Sequence, residues 1–135
     1  MTVQWSTTVR NAVLDAWETG MGTAAKIEIR TGAQPANCAA AATGTLLVTY
    51  SLASDWAASA SAASKVLNSL PIAGTAGAAG TAGYYRFTDT AGTNCHEQGS
   101  ITATGGGGDM TVDNTSIASG QAVNITGYTK TAPHA

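Results

Sequence analysis

Beyond residue 25, apolar side chains recur at every second position, in short runs separated by turns rich in glycine, threonine and aspartate. A period of two sends alternate side chains to opposite faces of an extended chain, so each run reads as a half-buried β-strand. In KIEIRTG, Ile27 and Ile29 alternate with Lys26, Glu28 and Arg30. TLLVTYSLA puts Leu46, Val48, Tyr50 and Leu52 on one face, with Leu47 out of step. GYYRFTDT sets Tyr85 and Phe87 against Tyr84, Arg86 and Thr88. GSITAT, DMTVDN and QAVNITGYTKT continue the pattern through Met110, Val112, Val123 and Ile125. Between runs, DTAG (89–92) reads as a type I turn closed by glycine, and IASGQ around Gly120 as another. The expected architecture is mainly β: an antiparallel β-sandwich or jelly-roll with strands over 25–131, one short helix before it, and a single domain over 1–135.

The helix is expected over 6–20, STTVRNAVLDAWETG. Val9, Val13, Trp17 and Met21 recur every four residues, Leu14 widens the stripe, Ser6 caps the start, and Gly20 with Gly22 stops it. That stripe is expected to pack on the sheet, which leaves Asp15 and Glu18 in solvent. Residues 34–44 and 72–83 read as small-residue connections. The alanines of 54–72 permit a helix, but the KVLNSL alternation and Trp56 favour strands.

Composition narrows the function. Charged residues make up 10% of the chain, against about 25% in ordinary domains, so few side chains are available for acid, base or metal chemistry. The net charge is −2, and the six cations (Arg10, Lys26, Arg30, Lys65, Arg86 and Lys130) are scattered. Nucleic acid, which needs a basic stripe, is not an expected partner. No segment has the apolar length of a membrane span, and MTVQWSTTVR lacks the form of a secretion signal. Cys38 and Cys95 are too few and too far apart for a zinc knuckle or a disulfide framework. A soluble protein made inside the cell, at a reducing site of synthesis, is the expectation.

The candidate motifs resolve against chemistry. Gly105, Gly106, Gly107 and Gly108 are followed by an alternating segment, not a helix, and no lysine lies within twenty residues of them. A phosphate loop needs both, so the tract is expected to join two strands as a reversal at a loop tip. AGTAGAAGTAG fails the dinucleotide test because YYRFTDT after it reads as a strand. In NCHE, alternation would turn Cys95 and Glu97 to one face and His96 to the other, which prevents a shared metal or a Cys-His pair. Asp89, Asp109 and Asp113 fall at turns, where Asp caps backbone amides. With Glu97 they are the carboxylates a small hydrolase would have to use, and no pair among them is privileged. Asn114 and Asn124 match the glycosylation pattern, which carries no meaning without secretion. No catalytic residue, cofactor or metal is expected.

The order of WETGMGTAAKIEIRTGAQPA, ATGTLLVTYSL, AGTAGYYRFTDTAGT and DMTVDNTSIASGQAVNITGYT resembles small virion proteins of tailed, short-tailed bacteriophages, of the cement or decoration type with jelly-roll folds. The resemblance implies a protein on the outer surface of the phage head that binds the major capsid protein and itself, as a homodimer or homotrimer, and stabilises the capsid. Interface anchors are expected at Trp5, Trp56 and the glycines 105–108. A tail, collar or fibre-base component is the nearest alternative. A carbohydrate-binding module stacking sugars on exposed Tyr84 and Tyr128, or a small hydrolase, comes further behind.

Overall fold

The structure is a computed structural model that describes residues 2–135. One helix, α1 (Thr7–Met21), precedes nine strands: β1 (Lys26–Thr31), β2 (Leu46–Ser51), β3 (Ser64–Val66), β4 (Ile72–Thr75), β5 (Gly80–Thr88), β6 (Cys95–Ala103), β7 (Met110–Val112), β8 (Ser116–Ile117) and β9 (Ala122–Thr131). The fold is mainly β, built on a curled mixed sheet ordered β2-β1-β5-β6-β7-β9-β3, with β4 also on β9 and β8 also on β5. The curl brings the sheet's distant parts together. Tyr50 on β2 donates its hydroxyl to the carbonyl of Val123 on β9 at 2.9 Å, and its ring lies against Gly74 on β4. A Cβ at Gly74 would come within 2.4 Å of that ring, so only glycine lets β2 and β4 meet here.

Ile27, Ile29, Phe87, Met110, Val112, Val123 and Ile125 are wholly buried inside the curl, as their period of two requires. Two departures from the alternation have a local cause. The register of β1 against β2 shifts between Ile29, opposite Val48, and Arg30, opposite Leu46. Leu47 is therefore the extra residue of a bulge, and it and Val48 are both buried while Leu46 is exposed. Leu46, expected inside, lies outside. On β5, Tyr85 and Phe87 face the core as expected, yet Tyr84, Arg86 and Thr88 on the other face are buried too. They are covered by the small-residue connection after β1, which lies over them as a strap.

Ser6 caps α1 by accepting the Val9 amide, and Gly22 ends it at φ +86°. The face it buries differs from the expected stripe. Leu14 and Met21 are buried and Trp17 half-buried, whereas Val9 and Val13 are 47% and 40% exposed. Polar anchors set this rotation. Asn11 Oδ1 accepts the Ala63 amide, and the Arg10 guanidinium donates to the Ala132 and Pro133 carbonyls. Of the two carboxylates expected in solvent, Asp15 is exposed and Glu18 partly buried, and both hold the buried ammonium of Lys65 at 2.7 Å. Residues 54–72 form no helix, and the strand expectation holds only in part: β3, the first residue of β4 and bridges at Ala57–Leu67 and Ser61–Ser64 are extended, and the rest is turns and irregular chain.

The glycine tract does not reverse the chain. β6 and β7 run parallel, with Ile101 opposite Met110 and Ala103 opposite Val112. Residues 104–109 must therefore carry the chain back alongside β6 within a very short loop. Gly105 and Gly107 take φ of +84° and +81°, which side chains disfavour. At Gly106 and Gly108 a Cβ would come within 3 Å of Thr102. All four glycines are thus needed, two for backbone angle and two for space.

Candidate functional site

The densest buried polar cluster centres on Glu97. Its position comes from a second bulge: Thr88 lies opposite Cys95 but Phe87 lies opposite Glu97, which leaves His96 as the extra residue. The bulge cancels the expected alternation. Cys95 turns toward the strap and Glu97 toward the core, while His96 is exposed. Glu97 Oε1 accepts the hydroxyls of Tyr85 at 2.7 Å and Tyr128 at 2.5 Å. Its Oε2 accepts the Trp17 indole N–H at 2.8 Å and the Lys130 ammonium at 2.7 Å. Gly99, opposite Tyr85, leaves room for that tyrosine hydroxyl, which a Cβ would approach to 2.7 Å.

Both oxygens of the carboxylate are saturated by charged or strongly polar donors. Burial works to raise the Glu97 pKa, but the bonds from Lys130, Tyr128 and Tyr85 outweigh it and hold the group below its ordinary value. Burial and the neighbouring charge push the Tyr85 and Tyr128 hydroxyls upward, so they stay protonated donors. Trp17, Trp56, Phe87, Tyr85 and Tyr128 pack around the node at ring separations of 5.2–6.0 Å, which adds aromatic contact to the area buried. This arrangement bolts α1 to β5, β6 and β9.

Lys65 makes a second such node. Burial acts to lower its pKa, yet the hydrogen bonds it donates to Asp15 and Glu18 prevail and the net shift is upward. The turn aspartates behave as the sequence implies. Asp89 accepts the Thr93 and Asn94 amides, Asp109 accepts the Ser100 amide and hydroxyl, and Asp113 accepts the Asn124 amide. The backbone bond from Thr93 lowers the Asp89 pKa, and the Ser100 hydroxyl lowers that of Asp109. Among the described residues, no three His, Cys, Asp or Glu side chains gather as a metal site would require.

The expected anchors separate. Trp56 is 2% exposed and gives its indole N–H to the Gly22 carbonyl, so it anchors the helix end inside the fold and offers nothing to a partner. Trp5 is half-buried on the His134 ring, and its amide donates to the His134 carbonyl. Gly105, Gly106 and Gly107 are exposed and Gly108 partly so. Tyr84 and Tyr128 are 1% and 4% exposed, which removes both as sugar-stacking platforms.

The cysteines correct the sequence reading as well. Cys38 and Cys95 form a disulfide across 57 residues of sequence. Three side chains on the sheet's outer face hold the strap beside it. Tyr84 bonds both the amide and the carbonyl of Thr43, Arg86 donates to the Ala40 carbonyl at 2.8 Å, and Gln98 to that of Pro35 at 2.6 Å. Between the strap and β1 lies a cleft of about 460 Å³. Glu28, Arg30, Arg86 and Thr88 form its floor, strap residues 38–42 one wall, and the β5–β6 turn its end. The sequence gives little sign of this cleft, because its wall is a segment with no periodic pattern. The one available signal was Arg86 sitting between the aromatic residues of a strand.

No family model, curated protein or solved structure matches the chain.

Proposed function

We propose that the chain is a structural virion protein of a tailed phage, a cement or decoration protein that binds the major capsid lattice on the outer head surface and stabilises it. The observation that carries this reading is the outward face of α1. Thr8, Val9, Ala12, Val13, Ala16 and Thr19 are all exposed there and none is charged, which suits burial against another protein. The carboxylates that could have served catalysis are engaged in structural bonds, as the Glu97 and Lys65 nodes and the turn aspartates illustrate. The disulfide suits a particle that leaves the reducing cytoplasm.

Repetition on a symmetric lattice lets a small contact on each copy add up by avidity, and self-association as a dimer or trimer belongs to the same proposal. So does the jelly-roll or sandwich kinship, supported by the curl that brings β2 against β4. Quantitative mass spectrometry and imaging of purified virions test the reading. Copies in proportion to the capsid subunits, spread over the head, are expected. A copy number matching the tail, collar or fibre base overturns the head assignment.

A further inference from the structure

The cleft beside the strap is lined by two guanidinium groups, those of Arg30 and Arg86, and by one carboxylate, that of Glu28, which stands opposite Arg86 in the β1–β5 register. Arg86 is 5% exposed, and its partners are all neutral: Gln98 Oε1 and the carbonyls of Asn37 and Ala40. Among the described residues, no carboxylate lies within 4 Å of its guanidinium. The one carboxylate on the cleft floor, Glu28, is already bonded to Arg30 Nε at 2.9 Å. Two guanidinium groups therefore face a single carboxylate, in a chain whose net charge is −2. Elsewhere the fold does the opposite: buried Lys65 sits between two carboxylates, and Glu97 meets Lys130. A buried charge without an opposite partner is costly, and an incoming anion would offset that cost.

The donors for such an anion are present. Arg30 uses only its Nε within the protein, which leaves its terminal nitrogens for a bidentate contact. The amides of Ala39, Ala41 and Ala42 on the strap also make no hydrogen bond to the described residues. We propose that this cleft binds a carboxylate carried on a peptide, an acidic side chain or chain end of a partner protein. The alanine methyls of the wall, with Thr93 and Asn94 at its end, suit a peptide better than a free, fully hydrated ion. The proposal goes beyond the capsid reading and holds whichever protein supplies the peptide.

Titration of the oxidised, isotope-labelled full chain with the blocked peptide Ac-Gly-Asp-Gly-NH2, followed by amide chemical shifts, tests it. Saturable shifts at Ala39–Ala42 and Asn94 are expected, with roughly tenfold weaker binding of the Asn analogue and of the Arg30→Gln variant. Glu28→Gln removes the competing carboxylate and is expected to tighten the Asp peptide roughly two- to fivefold. It serves as the deciding variant if Arg30→Gln fails to fold. Absence of saturable shifts, equal binding of the Asn analogue, unchanged binding by both variants, or tighter binding of inorganic phosphate than of the Asp peptide overturns the proposal.

Discussion

The two faces of β5 are buried to the same degree by opposite means. Tyr85 and Phe87 lie under α1, in an aromatic cluster organised around one saturated carboxylate. Tyr84, Arg86 and Thr88 lie under an irregular strap of small residues, held by side chain–backbone hydrogen bonds and one disulfide. The inner face gains from apolar area removed from water, about 25 cal/mol per Å². The outer face buries the Tyr84 ring, but its cover is made of small residues and adds little apolar area of its own. It relies on satisfying the strap's carbonyls, and on a covalent bond that limits the unfolded chain. The difference teaches that burial alone does not tell which force holds a surface closed.

The comparison is most sharply tested at Glu97. Replacing it with alanine leaves two tyrosine hydroxyls, an indole N–H and an ammonium without their acceptor, and is expected to cost about 3–5 kcal/mol in denaturant unfolding. A loss under 1 kcal/mol would show that the aromatic packing alone holds the inner face. Cys38→Ala with Cys95→Ala is expected to cost about 3–4 kcal/mol. Its signature should differ: amide exchange rising over residues 33–44 while the Trp17 and Trp56 emission stays native. Collapse of that emission would mean that the two faces are not separable.

The pH dependence distinguishes the faces again. The folded pKa of Glu97 lies below its ordinary 4.5, so its contribution is complete above that value and fades as pH falls through the lowered folded value. Stability of the native chain should therefore drop on acidification below about pH 4.5, and Glu97→Gln should flatten that drop. An unchanged acid slope in the variant would assign acid sensitivity to the exposed aspartates instead. Tyr84→Phe, which removes the hydroxyl bonded to both ends of the Thr43 backbone, is expected to cost about 1–2 kcal/mol and to raise exchange in the strap only. Val13→Thr on the outward face of α1 should change stability by less than about 0.5 kcal/mol. A loss above 1 kcal/mol would mean that this face is packed within the monomer.

Much of the inner face was legible in the sequence, because Ile27, Ile29, Phe87, Val112 and Ile125 alternate strictly and one face must leave water. The cap at Ser6, the stop at Gly22 and the Asp89–Gly92 turn were legible for the same kind of reason: each is decided by neighbours within four residues. The rotation of α1 was not, since the contacts that set it, Asn11 with Ala63 and Asp15 with Lys65, span about fifty residues of chain. Bulges hid two more features. One extra residue each exchanged Leu46 for Leu47 and separated Cys95 from Glu97, and no local pattern announces such a residue.

By itself, then, the sequence determined a β chain with one capped helix, turns at its glycines and aspartates, and an interior of alternating branched residues. Those features follow from backbone sterics and short-range hydrogen bonding. Only the tertiary structure decided that the glycine tract joins parallel strands, that the cysteines meet, and that a patternless strap closes the outer face. The cysteines and the strap meet partners about fifty residues away in sequence, and the parallel step is fixed by β7 pairing with β9 as well as with β6; no single segment carries that information.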